Sequence, residues 1–315
     1  MVAKKHAYLI IAHHQFEQLN FLVSLLNHER NDIYIHIDAK VKDDQFCKLQ
    51  ADLKRICTKS GLYFSERVDV HWGDYSQIES ELKLFQATVG IDEYYYYHLI
   101  SGSDLPLVSQ KVIHQFFDKN PGKLFLTMAN KDQRAIYERV AYHYIKPQLS
   151  VRSFRSKTLK KGIRFFRKCE VRINRILKID HYKQFDTELG YASNWVSIDK
   201  KMVDLILENT KLIYTIFSKS LLCDELFIPT LVNKYNLKEK IAYDHIMSNV
   251  PLELQGNLRY INWWDGTPYT WTDSDKDLQE LKAAKKAGHL FARKFDLERY
   301  PKVKDFILSE VNSDL

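Results

Sequence analysis

Ala7-Tyr8-Leu9-Ile10-Ile11-Ala12 is an unbroken apolar run, and further on Asp32-Ile33-Tyr34-Ile35-His36-Ile37-Asp38 is rich in β-branched residues and ends on a carboxylate. Between them Phe16, Leu19, Phe21, Leu22, Leu25 and Leu26 recur at helical spacing. This reads as strand, helix, strand. The first strand is apolar at every position, as a strand covered on both faces must be. The pattern continues with a helix over 46–56, a short strand at Val68-Asp69-Val70 and a helix over 76–89 that turns Ile78, Leu82, Phe85 and Ala87 inward. A strand over 94–100 then runs into the turn Ser101-Gly102-Ser103-Asp104-Leu105-Pro106-Leu107. Such alternation predicts an α/β fold with a mostly parallel twisted sheet flanked by helices. In sheets of this kind ligands gather at the carboxyl ends of the strands. His36-Ile37-Asp38 and the Ser101 to Asp104 turn both fall there, which locates a site before any chemistry is invoked. Residues 191–210 resume a strand-helix unit, and 224–232 opens a further helix. The whole chain, 1–315, reads as a single domain with one helical insertion at about 146–184.

Charge isolates that insertion. The formal net charge is +7, yet residues 152–178 hold eleven basic residues against the single acid Glu170, so the remainder is mildly acidic. Leu159, Ile163, Phe166, Ile173 and Ile176 stand at three- or four-residue steps among the cations, the pattern of an amphipathic helix with a cationic face. Two readings stand for it: docking on an anionic membrane surface, or a solvated helix that covers the domain. A nucleic-acid partner is not expected, because the cations lie on one helix without an aromatic stacking platform.

Aromatic residues make up 13% of the chain, with 19 Tyr and 5 Trp, which suits a surface that stacks on sugars or bases. No apolar run approaches the ~20 residues of a membrane span. The N-terminal apolar stretch ends at His13-His14 and reads as a buried strand, not a signal peptide. Cys47, Cys57, Cys169 and Cys223 have no metal-ligand spacing, so a reduced, cytoplasmic compartment is expected.

Two clusters carry chemistry. Cys223-Asp224-Glu225-Leu226-Phe227 places a carboxylate pair in a first helical turn, where negative charge is favoured whatever its use. The alternative is a general base that takes the proton of an attacking hydroxyl. Near the C-terminus Arg293 and Lys294 stand between Phe291 and Phe295. They form either a charged turn or a pair of fixed cations able to neutralise a leaving diphosphate as a metal would. Asp273-Ser274-Asp275 reads as a helix cap, and His36 with Asp38 has too few companions for a metal site. No metal and no cofactor are expected. Val70-His71-Trp72-Gly73-Asp74-Tyr75-Ser76-Gln77 is either a capped turn or a ligand loop. Glycine-rich phosphate loops and a GxSxG elbow are absent from the sequence, which removes kinase, P-loop NTPase and serine hydrolase readings.

Taken in order, Ala7 to His13, Tyr34-Ile35-His36-Ile37-Asp38, Trp72-Gly73-Asp74-Tyr75-Ser76, Leu99 to Leu107, Ala192-Ser193-Asn194-Trp195-Val196-Ser197, Cys223-Asp224-Glu225, Leu258-Arg259-Tyr260-Ile261-Asn262-Trp263 and Leu290 to Asp296 resemble the Core-2/I-branching glycosyltransferases (family 14, which also holds the peptide xylosyltransferases). The resemblance implies a GT-A-like, inverting, metal-independent transferase that moves a sugar from a UDP-sugar, with GlcNAc favoured over other hexoses, to a hydroxyl as a β-linkage. It implies Glu225 as the base, Lys294 and Arg293 at the diphosphate, and Asp38 and His13 at the nucleoside. It further implies Ser101, Asp104, Trp195 and Asp224 around the donor sugar and acceptor, joined by Arg139 and Glu138. The family's second phosphate-binding arginine has no counterpart in Tyr269-Thr270-Trp271-Thr272, which leaves Arg293 or Arg259 to supply it. The membrane anchor and luminal disulfides of animal members are missing. The expectation is therefore a bacterial, cytoplasmic member, peripheral at the inner face of the cell membrane. Its acceptor would be a glycan or lipid-linked oligosaccharide in surface polysaccharide synthesis. Two rivals stay open: a non-catalytic binder of sugar nucleotides or polysaccharide, and a nucleic-acid binder acting through the basic arm.

Overall fold

The computed structural model describes residues 4–129, 132–149, 156–266 and 268–313. In chain order the elements are β1 (Lys5–Ala12), α1 (Phe16–Leu26), β2 (Asn31–Ile37), α2 (Asp43–Ile56), β3 (Gly61–Phe64), α3 (Ser76–Ala87), β4 (Tyr94–Ser101), β5 (Asp104–Pro106) and α4 (Gln110–Asp118). There follow α5 (Gln133–Ala141), α6 (Lys157–Ile176), β6 (Ser197–Asp199), α7 (Lys200–Glu208), α8 (Thr210–Phe217), α9 (Phe227–Lys234), β7 (Arg259–Ile261), α10 (Asp275–Lys286), β8 (Phe291–Arg293) and α11 (Lys302–Asn312).

Among the described residues five strands form the main sheet in the order β3-β2-β1-β4-β6. All neighbours are parallel except β6, which runs antiparallel to β4. This is the α/β fold expected, a mostly parallel sheet flanked by helices. Successive side chains of β1 point to opposite faces. Ala7 and Leu9 enter a core with Ile78 and Phe85 of α3, Val203 of α7 and Phe227 of α9. Tyr8 and Ile10 enter the other core with Leu19 and Leu22 of α1, Leu53 of α2 and Ile307 of α11. Two covered faces are why the first strand shows no polar alternation.

The third strand differs from expectation. Gly61–Phe64 occupies the place beside β2, whereas 68–70 is an extended loop. The Val68 N–H is taken by His36 Nε2 at 3.0 Å and the Val68 carbonyl by the Ala39 N–H at 3.0 Å, so this loop packs on the end of β2 instead of adding a ladder. Gly61 fits where it does because a Cβ there would lie 2.8 Å from Asp32 Oδ1, which accepts the Gly61 N–H.

A smaller sheet, β5-β8-β7, packs beside the first. Arg259 joins the two. It is fully buried, and its guanidinium donates to the carbonyls of Leu99 (3.1 Å), Val196 (2.8 Å) and Asn257 (2.5 Å). It therefore cannot supply the second phosphate-binding cation expected of it, because its guanidinium is sealed inside the protein against these carbonyls, the Ser197 hydroxyl and the Phe291 ring. The Asp273-Ser274-Asp275 stretch is a cap as read: the Ser274 hydroxyl accepts the Asp277 N–H. The basic insertion contains α6, and residues 150–155 of it lie outside the described residues. No helix among the described residues is long and apolar enough to cross a membrane.

Candidate active site

The order β3-β2-β1-β4-β6 sends the chain to opposite sides of β1, so the crevice beyond Ala12 and Ser101 is the switch point where ligands settle in open α/β sheets. His13 and His14 leave β1 there with stacked rings, centroids 4.3 Å apart. Burial lowers the pKa of both, and the Lys294 charge lowers both further, while Asp38 acts in the opposite sense on His13. His13, Asp38 and Lys294 thus share one electrostatic neighbourhood. Asp38 follows β2; its Oδ1 accepts the Lys40 N–H at 2.9 Å, and the Lys40 ammonium lies 3.7 Å from its other oxygen.

Beside them is a tight polar unit. The antiparallel register of β5 and β8 sets Arg293 opposite Asp104. Arg293 Nη1 donates to Asp104 Oδ2 at 3.2 Å and to Ser101 Oγ at 2.6 Å, and its guanidinium lies 4.4 Å from the centre of the Trp195 ring. Asp104 is fully buried and also accepts from the Ser101 N–H and hydroxyl. Arg293 is therefore tied to the strand end, whereas Lys294 follows it toward the two histidines.

The carboxylate pair lies in the turn preceding α9, not in its first helical turn as expected. Two contacts from the 70–77 loop brace that turn. The Leu222 N–H bonds the Gly73 carbonyl at 2.9 Å, and Gln77 Nε2 donates to Asp224 Oδ2 at 2.9 Å while its Oε1 accepts the Gly73 N–H. Gly73 has φ 87°, a left-handed conformation that favours glycine, and a Cβ there would sit 3.2 Å from Leu222. The loop is a capped turn, with Asp74 Oδ1 accepting the Ser76 N–H at 2.8 Å, and it also braces the carboxylate turn. Asp224 is buried, and desolvation followed by the charge of Glu225 pushes its carboxyl up to about 7. Behind it Glu81 is buried and pushed well above the usual range, chiefly by burial. Glu225 is about one-third exposed, with Arg139 Nη1 3.4 Å from its Oε2. The Tyr191 hydroxyl also bonds Glu225.

One short segment connects the two halves. Tyr191 touches Glu225, Asn194 Nδ2 reaches Glu81 Oε1 at 3.5 Å, and Trp195 stacks on Arg293. The structure thus brings together Glu225, Asp224, Arg139, Trp195, Arg293, Asp104 and Ser101, with Lys294, Asp38 and His13 alongside. Glu138 is apart from them: it is engaged by Arg175 at 2.7 Å and Arg134 at 3.2 Å, on the α6 side of α5. Sequence reasoning missed Tyr191, Glu81, Gln77, Asn194 and His14 as members of the site. Gln77 and Asn194 stood inside motifs already quoted; Glu81, on an amphipathic helix, carried no signal.

The Core-2/I-branching enzyme profile matches residues 6–285. The chain belongs to that family. No curated protein matches it. Among solved structures it is similar to the apo-form glycosyltransferase GlyE of Streptococcus pneumoniae TIGR4, at 12% identity over 41% of this chain and 30% of that one, with a TM-score of 0.25. That likeness is too distant to carry an argument about the site.

Proposed function

We propose that this family member is an inverting, metal-independent transferase that moves a sugar, GlcNAc first among the candidates, from a UDP-sugar to a glycan or lipid-linked oligosaccharide hydroxyl as a β-linkage, at the cytoplasmic face of a bacterial membrane during surface polysaccharide synthesis. The acceptor oxygen attacks the anomeric carbon and its proton passes to Glu225. The bond from that carbon to the diphosphate oxygen breaks, and UDP leaves with the electron pair. A single carboxylate suffices, because a diphosphate departs without being protonated. Lys294 neutralises the leaving charge, Asp38 and His13 hold the nucleoside, and Trp195 with Ser101, Asp104 and Asp224 bounds the sugar. Arg293, fixed by Asp104, adds positive potential and orients Trp195.

The observation that carries this reading is the Tyr191 to Trp195 segment, which couples a partly exposed carboxylate to a cationic strand end. Lys294 and Arg293 lie beyond the matched residues 6–285, so their roles rest on position and charge. The test is UDP release over UDP-GlcNAc, UDP-Glc, UDP-Gal and UDP-GlcA, with and without EDTA. Turnover of one donor that persists in EDTA is expected. Loss of turnover in EDTA overturns the metal-free step, and no response to any donor or to UDP overturns the transferase.

A further inference from the structure

Helix α6 carries three stripes where a covering helix needs two. Ile163, Arg167, Glu170, Val171 and Asn174 form the inner stripe, buried or half-buried. It is fastened by Glu170 Oε1, which accepts the Ile145 N–H at 2.8 Å, and by Arg167, which donates to the carbonyls of Ile145 and Lys146. Lys157, Lys161, Arg164, Lys168, Arg172 and Arg175 lie along a second, exposed stripe. The ion pairs of α6 among the described residues are Arg167–Glu170 and Arg175–Glu138, so most of this second stripe faces water with its charge uncompensated. At 100° per residue a third stripe remains, made by Leu159, Phe165, Phe166, Ile173 and Ile176. It too is exposed, Phe165 by 71% and Ile176 by 69%. A helix that merely shields a core buries its apolar residues; here the large ones point outward beside the cations.

We propose that α6 is an interfacial helix that docks the enzyme on an anionic phospholipid bilayer. Phe165, Ile173 and Ile176 enter the headgroup boundary while Arg164, Lys168 and Arg172 meet lipid phosphates. Charge complementarity selects this occupant. A second copy of the chain placed on the same face would bring two rows of cations together, and a nucleic acid would leave Leu159, Ile173 and Ile176 in water. The position of the helix gives the docking a use. Glu138, paired with Arg175 of α6, is followed on α5 by Arg139, paired with Glu225. The lipid-facing helix and the carboxylate of the site therefore meet neighbouring faces of the same turn of α5, about 100° apart. An acceptor held in the bilayer would arrive at the Glu225 end. That last step rests on the proposed transferase; the docking itself does not.

The test is flotation of the full chain with phosphatidylcholine vesicles and with phosphatidylcholine/phosphatidylglycerol vesicles, at low and high salt. The chain is expected to float only with the anionic vesicles and to be released by salt. The combined substitutions Arg164→Glu, Lys168→Glu and Arg172→Glu, and separately Phe165→Asp with Ile176→Asp, are each expected to reduce binding at least about tenfold. UDP-induced thermal stabilisation should be unchanged in both variants, which shows them folded. Failure of the wild type to float with anionic vesicles overturns the proposal, as does undiminished binding by either variant. A dimer in light scattering that Phe165→Asp dissociates overturns it in favour of self-association. Flotation without any UDP response would instead overturn the transferase and leave the docking standing.

Discussion

Arg139 Nη1 lies 3.4 Å from Glu225 Oε2, across 86 positions of sequence. The pair fixes a carboxylate that is otherwise on a turn, and the Tyr191 hydroxyl bonds the same group. A general base works only when its oxygen is held within reach of the proton it takes. Glu225→Gln keeps the shape and removes the basicity. It is expected to lower kcat by about 10²–10⁴-fold while UDP affinity stays near wild type. Arg139→Ala frees the same oxygen, so its loss should appear in kcat more than in KM for the donor. Near-wild-type turnover by Glu225→Gln, read as UDP release, would remove Glu225 from the mechanism.

Lys294 and Arg293 are neighbours in sequence with different surroundings. Arg293 is engaged by Asp104 and Ser101, whereas the charge of Lys294 bears on His13 and His14. A charge-assisted contact is worth about 1.5–3 kcal/mol, so Lys294→Ala should weaken UDP binding about 10- to 100-fold. Calorimetry with UDP and with uridine separates the cause, because uridine lacks the diphosphate and should bind the variant and the wild type alike. An equal loss for both ligands would place Lys294 at the nucleoside instead.

Much of this arrangement was legible in the sequence because burial on two faces writes itself as unbroken apolar runs. β1, β2 and β4 were visible for that reason, and with them the strand ends that carry His13, Asp38 and Ser101. What was not legible depends on partners distant in sequence. Arg259 stands in a short strand like any other cation, and only the carbonyls of Leu99, Val196 and Asn257 converging on it reveal that it is internal. Glu138 and Arg139 were both named as site residues, but adjacent helical positions diverge by about 100°, so they serve different faces of α5 and meet different partners. The short strand at Gly61–Phe64 was missed in favour of 68–70, whose Val68 backbone bonds His36 and Ala39 at the end of β2 without joining the ladder.

The Asp104–Arg293 pair offers a test of stability instead of catalysis. Asp104 is fully buried and Arg293 is 17% exposed. Removing one partner leaves the other charge without its paired counterion, which typically costs about 3–5 kcal/mol. Asp104→Ala is therefore expected to lower the urea midpoint markedly. Arg293→Ala should do nearly as much, and the double variant should lose less than the sum of the two. Additive losses in that cycle would mean that the two side chains do not act as a pair.

Asp224 has a pH signature whose sign is fixed by its burial. Desolvation first, then the charge of Glu225, raise its carboxyl from the ordinary 3.8 to about 7. Between those values the folded chain holds a proton that the unfolded chain has released. Stability therefore falls as pH rises through that window and reaches its lower level above about pH 7. Glu81, raised by burial and by Asp224, acts in the same sense. Buried His6, His36 and His114, lowered to about 3, 4 and 2, act in the other: they lose stability as pH falls below their unfolded value of ~6.5. A melting profile of the wild type alone mixes the two. The difference between Asp224→Asn and wild type cancels the histidines, because they are common to both. That difference in Tm is expected to move in favour of the variant from about pH 5 to about pH 8, by on the order of 1–2 °C for each kcal/mol of buried charge relieved. A difference that stays flat across the range would mean that Asp224 ionises in the folded chain as readily as in the unfolded one.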